Sequence, residues 1–189
     1  MSKKQTFYTR AGDEGTTTIY GQTERVPKYH LRPEAYGTID EAQAMLGVLR
    51  AGNCQPRTKE LLVRVERDLY LIMTQLAVAD HVKLLTRPIS QSDVDWLEKV
   101  TEEIGQTTGA FTDFVLPGDT LVGAQVHQAR TVVRRAERAA VKLSHEAGLS
   151  NPAILRYLNR LSSLLFVLAL YEDHHGGVTS PTYAKDVTD

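Results

Sequence analysis

Between Pro33 and Asp173 apolar residues recur at three- and four-residue steps in five separate stretches, each bounded by residues that start or stop helices. A chain patterned this way must bury five apolar stripes against one another. Pro33 suits a first helical position, and Glu34 favours the same end through the helix dipole. Ile39, Ala42, Leu46 and Leu49 then repeat, and Gly52 closes the first helix. A second is expected from about Arg57 to Val82, through Leu61, Val65, Leu69, Ile72, Leu76 and Ala79. A third runs from near Ser90, which forms a capping-box pattern with Asp93, to near Gly105. Asp119 can cap a fourth, reaching about Glu146 along the seam Val122, Val126, Ala129, Val133, Ala136, Ala140 and Leu143. Ser150, Asn151 and Pro152 open a fifth, to about Asp173. Leucines around most of its girth predict that it is the central helix.

The expectation is therefore an all-α, five-helix bundle in one domain of 189 residues. Residues 1–32, rich in Gly and Thr and without helical period, form a loop segment with room for a short hairpin. Residues 33–175 make the bundle, and 176–189 are expected to be a poorly ordered tail. The loop from Gln106 to Gly118 carries Phe111 and Phe114.

A net charge of −1 argues against a general nucleic-acid binder, which carries a large basic excess. The lone cysteine, Cys54, cannot form an internal disulfide and fits a reducing compartment. No unbroken apolar run reaches the roughly 18 residues of a membrane span, and MSKKQTFYTR lacks the apolar core of a secretory signal. A soluble cytoplasmic protein is expected.

Against that neutral balance, RTVVRRAER at Arg130 to Arg138 stands out. Arg130, Arg134 and Arg138 follow one another at i, i+4 spacing, with Glu137 the nearest offset. Like charges so placed repel, so an anion is expected against this ridge. The loop Thr9 to Thr18 offers glycine backbone and threonine hydroxyls, with Arg10 and Lys28 nearby. It reads either as an ordinary loop or as a phosphate cradle without the Walker ending. Asn159, among leucines, reads as a buried tie between helices or as an amide facing a ligand such as a nucleoside. Asp40 reads as a surface carboxylate or as an arginine partner, within the chain or across a subunit interface. His127 reads as a hydrogen-bonded histidine at the bundle edge. A di-iron centre is rejected, because Glu172 with His175 is the single Glu-x-x-His spacing.

Six segments in order resemble the PduO-type ATP:cob(I)alamin adenosyltransferases. They are YTRAGDEGTT, ERVPK, EAYGTIDE, FVLPG, HQARTVVRRAER and YLNRLSSLLF, spanning about residues 7 to 170. The resemblance implies a ferritin-like five-helix bundle and a homotrimer with active sites between subunits. It also implies transfer of the 5′-deoxyadenosyl group from ATP to the cobalt of reduced cobalamin, releasing triphosphate, with Mg2+ accompanying ATP. Thr9, Arg10, Ala11, Gly12, Thr17, Thr18 and Lys28 would meet ATP from the loop. Arg134, Arg135, Ala136, Glu137, Arg138 and Asn159 would meet it from the helices, with Glu137 serving the metal. Arg130 would pair with Asp40 of an adjacent subunit to shape the catalytic site, and Phe114 would lie against the corrin.

A transient reductase and a cobalamin-dependent acceptor enzyme are implied partners. The alternative is an ATP-binding sensor or cobalamin carrier on the same fold. At Ala11, Glu14, Asp119 and Ser163 the chain departs from the family's usual residues.

Overall fold

The structure is a computed structural model that describes residues 7–79, 81–108 and 113–185; Phe111 lies outside these. A two-stranded antiparallel ribbon, β1 (Thr16–Thr18) and β2 (Arg25–Pro27), precedes the helices. These are α1 (Leu31–Ala51), α2 (Pro56–Leu76), α3 (Gln91–Thr108), α4 (Leu121–Ala147) and α5 (Ala153–His175). α1 packs on α2 and α4, and α5 packs on α4 and α3. The all-α bundle expected from the periodicity is present.

α5 is the core helix, with Tyr157, Leu158, Leu161, Leu164, Leu165 and Leu168 sealed from solvent. By length and composition alone it could cross a bilayer, but most of its apolar surface is covered by the other helices. α4 presents Val126, Ala129, Val133, Ala136, Ala140 and Leu143 to the core, the seam its sequence predicts apart from Val122, which is only half-buried. Its small residues bring it close to α5. At Gly123 an added Cβ would stand 2.0 Å from Asp173 Oδ1.

The boundaries depart from expectation where tertiary contacts take over the backbone. Pro33 is the third residue of α1, not the first. The helix opens at Leu31 behind His30, whose ring accepts from the Arg32 amide at 3.4 Å. α2 stops at Leu76, six residues before the expected Val82. Beyond it Tyr20 and Val78 form a parallel bridge: the Tyr20 amide donates to the Ala77 carbonyl and the Ala79 amide to the Tyr20 carbonyl, each at 2.9 Å. Arg32, buried, donates Nη1 to the carbonyls of Leu76 and Val78, placing a cation at the negative end of α2. The opposite end of α2 is closed by buried Glu172, whose carboxylate accepts from the Gln55 amide at 3.0 Å.

The fourth helix is capped by Thr120 rather than Asp119, since Thr120 Oγ1 accepts from the Gly123 amide at 2.9 Å. Asp119 instead holds the chain after the bundle: its carboxylate accepts from the Thr182 amide and hydroxyl at 2.9 and 2.7 Å. Val115 bridges Tyr183, the Leu116 amide donates to the Thr182 carbonyl, and the Ala184 amide donates to the Phe114 carbonyl. The segment expected to be a loose tail is thus bonded to the Phe114 loop through residue 184.

One charge cluster, with buried carboxylates and half-exposed arginines, ties α2, α3 and α5. Arg64 bridges Asp68 and Asp93, Arg87 adds a second cation, and fully buried Tyr157 donates to Asp68 at 3.1 Å. Burial pushes the Asp68 carboxyl above its ordinary range and outweighs Arg64 and the Tyr157 hydrogen bond. Asp93, with more donors, is held below it although burial acts the other way.

Candidate functional site

The N-terminal segment is organised by a residue whose role its sequence did not advertise. Arg25 on β2 donates Nε to Thr16 Oγ1 at 2.9 Å, Nη1 to Thr18 Oγ1 at 3.1 Å and Nη2 to the Ala11 carbonyl at 2.6 Å. Thr16 and Thr18 share one face of β1 because side chains alternate along a strand; Thr17 occupies the other. A threonine that accepts from Arg25 still has its own hydroxyl hydrogen to give. The signal was present in ERVPK: an arginine facing alternate threonines across a short ribbon.

The bend before β1 is compact. Arg10 takes a left-handed backbone (φ 63°), Thr9 Oγ1 accepts from the Ala11 amide at 3.4 Å, and the Gly15 amide donates to the Gly12 carbonyl at 3.1 Å. Lys28 Nζ lies 3.2 Å from the place a Gly12 Cβ would occupy, so glycine there lets the ammonium rest on the loop backbone. The Arg10 guanidinium lies 5.4 Å from the Tyr8 ring centre. Thr9, Arg10 and Ala11 are exposed, and Lys28 with them. These residues form one cationic, donor-rich surface.

The second half of the site lies along α4. Arg134 and Arg138 are exposed, and among the described residues neither has an ion pair or side-chain hydrogen bond. Arg130 is partly buried and has no carboxylate partner among the described residues; its Nε donates to His127 Nδ1 at 3.3 Å. Burial and then neighbouring Arg134 push its pKa down, as expected of a cation lacking an anion. Arg135 differs, since it is already paired with Glu41 of α1. It borders a groove of about 440 Å3 with Tyr29, Glu34, Arg138 and Lys142, where the start of α1 meets α4.

Ala136 differs from its neighbours on the ridge. Its side chain is fully buried in the α4 seam, turned away from the outer face. Asn159 is exposed, against the first of its two readings, a buried tie between helices. It donates Nδ2 to Glu137 Oε1 at 2.9 Å and accepts from Arg160 Nη1 at 2.7 Å; Arg160 in turn is paired with Glu98 of α3 at 2.7 Å. Asp40 is exposed on α1, and among the described residues it forms no hydrogen bond or ion pair with Arg130, which binds His127. Phe114 is 81% exposed, an apolar ring held in the open by the bonded segment behind it.

Loop and ridge do not touch through hydrogen bonds within the described residues. Loop bonds stay within the ribbon and reach the end of α2, while ridge bonds go to α1 and α5. No three of His, Cys, Asp and Glu converge on a metal-sized point among the described residues.

The family model for cobalamin adenosyltransferase matches residues 7–172, so the match spans ribbon, ridge and amide alike. This chain belongs to the cobalamin adenosyltransferase family. It is 38% identical over 169 residues to a corrinoid adenosyltransferase of Citrobacter freundii, covering 88% of this chain and 94% of that one. It is 37% identical to the corrinoid adenosyltransferase PduO of the same organism, where the matched region spans 89% of this chain but 50% of the longer protein. In three dimensions it is similar to a variant PduO-type ATP:corrinoid adenosyltransferase from Lactobacillus reuteri, complexed with cobalamin and ATP. The TM-score is 0.87 at 28% identity, over 96% of this chain and 100% of that one. In this cobalamin adenosyltransferase family member, Asp119 holds Thr182.

Proposed function

We propose that this chain transfers the 5′-deoxyadenosyl group of ATP to the cobalt of cob(I)alamin, giving adenosylcobalamin and triphosphate. One observation carries the reading: among the described residues, Arg134 and Arg138 stand one helical turn apart on α4 without a carboxylate, while Arg135 beside them has one. Unpaired guanidinium forks at that spacing match a polyphosphate.

Cob(I)alamin brings its own nucleophilic electron pair, so no protein base or nucleophile is needed. The cobalt–carbon bond forms as the 5′ carbon–oxygen bond breaks, and that bonding pair leaves on triphosphate. Arg134 and Arg138 stabilise the charge gathering there. Thr9, Arg10, Thr17, Thr18 and Lys28 hold the nucleotide from the loop side and orient its 5′ carbon. Asn159 presents an amide of fixed direction to the nucleoside side of the site. Phe114 packs against the corrin and keeps the lower ligand off cobalt.

Mg2+ suits this donor set. Magnesium commonly takes one or two carboxylates together with substrate phosphates, and Glu137, steadied by Asn159, is the carboxylate available here. An exposed Asp40 and an Arg130 lacking a carboxylate in the protomer favour a homotrimer in which they pair between subunits. The loop of one subunit would then face the ridge of the next. A lone buried Cys54 fits a soluble cytoplasmic enzyme supplied by a reductase and serving a cobalamin-dependent acceptor.

The test is direct: purified protein with ATP, Mg2+ and chemically reduced cobalamin should yield light-sensitive adenosylcobalamin and one triphosphate per turnover. ATP binding without either product would leave a nucleotide sensor or cobalamin carrier instead.

A further inference from the structure

His127 is 2% exposed, and among the described residues its buried Nε2 has no hydrogen-bond partner. A buried ring nitrogen left so is uncommon and calls for an explanation. Its other nitrogen supplies one: Nδ1 faces Arg130 Nε at 3.3 Å. A guanidinium only donates, so Nδ1 must be the bare nitrogen. The neutral ring then carries its proton on Nε2; the ring as a whole packs edge-to-face on Phe166, 5.9 Å between centres.

We propose that His127 is a positioning residue for adenosyl transfer. A neutral imidazole, bare at Nδ1, holds Arg130 by its Nε–H and leaves the guanidinium its two terminal amino groups for the anion it meets. The inference rests on the reading of Arg130 as part of the transfer site. With Nε engaged, Arg130 cannot clasp a carboxylate or phosphate side-on and can present only its end-on fork. Burial and Arg130 both disfavour protonation of the ring, and Asp119 in the preceding loop opposes them weakly; α5 offers the uncharged Phe166. An imidazolium would turn an N–H toward the guanidinium and release it.

Three variants and one spectrum test this. His127→Phe keeps the ring and removes the acceptor; kcat should fall roughly ten- to a hundredfold, as for a catalytic group displaced by about an ångström, with KM for ATP unchanged. His127→Asn places an amide oxygen near the Nδ1 position and should recover most of that loss. A His127→Phe enzyme with wild-type kcat, or Asn and Phe variants equally impaired, overturns the proposal. Because His127→Phe could fail to fold, nitrogen-15 NMR of the wild-type ring gives an independent answer. A bare Nδ1 with a protonated Nε2 supports the proposal, and a proton on Nδ1 at neutral pH overturns it. Arg130→Ala separates the two levels: if it keeps full activity, the transfer-site reading of Arg130 fails, whereas the spectrum still reports the His127 geometry.

Discussion

Asn159 on α5 gives its amide hydrogen to Glu137 on α4 while its carbonyl accepts from Arg160, so neither end of the amide can turn over. An amide free to flip would show a ligand either face. This one shows a fixed pattern, and the only side-chain carboxylate on the ridge is held with it. Asn159→Asp replaces that bond by two facing carboxylates. ATP–Mg2+ affinity should fall about tenfold or more, the loss expected for one charge-assisted hydrogen bond, with little change in thermal stability because residue 159 is exposed. Calorimetric titration with and without Mg2+ checks both halves.

Two adjacent arginines should behave oppositely. Arg134→Ala removes a guanidinium with no side-chain partner among the described residues, so kcat should drop on the order of a hundredfold or more while the melting temperature stays put. Arg135→Ala breaks the pair with Glu41. That pair is half exposed, so its loss should cost no more than about 1 kcal/mol. Steady-state kinetics beside urea unfolding of both variants would show the split. An Arg135→Ala enzyme as slow as Arg134→Ala would mean that residue 135 leaves Glu41 to grip phosphate.

Gly123→Ala should be destabilising, although alanine normally gains about 1 kcal/mol over glycine inside a helix. The new Cβ would lie 2.0 Å from Asp173 Oδ1, the atom that accepts from Thr120 at 2.6 Å. Either the carboxylate moves and loses that bond or α4 shifts off α5. A net loss of about 1–3 kcal/mol is expected, read as a lower urea midpoint. Asp173→Ala should relieve the clash in the double variant.

Stability should decline as pH falls below about 6.5, the ordinary imidazole value. His127 is held below that value in the folded chain by burial and by Arg130. The unfolded chain therefore binds a proton that the folded one refuses, and stability rises with pH across that window. In His127→Asn that contribution should vanish. Unfolding free energies at pH 5.5 and 7.5 for both proteins would measure it.

The helices were legible because apolar spacing is a local record of which face is buried. Four things were not, each decided by a partner distant in sequence. Val78 and Ala79 continue the apolar rhythm of α2, yet their backbone belongs to Tyr20. Asp119 and Thr120 are both good caps by type, and Asp119 was drawn off by Thr182. Asn159 sits among leucines but turns outward, because α5 is covered on most sides and not all. Asp68 could have been noticed as a carboxylate one helical turn from Val65 on a core-facing stripe, awaiting Arg64 and Tyr157. The ridge was visible as charge. Which of its arginines are already occupied, and that Ala136 faces inward, required Glu41 and the α4 seam to be in place.

Arg25 bears on when order is acquired. By clasping the Ala11 carbonyl and the Thr16 and Thr18 hydroxyls, it makes the bend from Thr9 to Thr18 largely an outcome of folding rather than of encounter with nucleotide. A segment shaped beforehand surrenders little conformational freedom when a ligand arrives. Arg25→Ala should therefore leave the donors present but unassembled: the penalty would appear in the entropy of association, while the enthalpy per contact stays nearly constant.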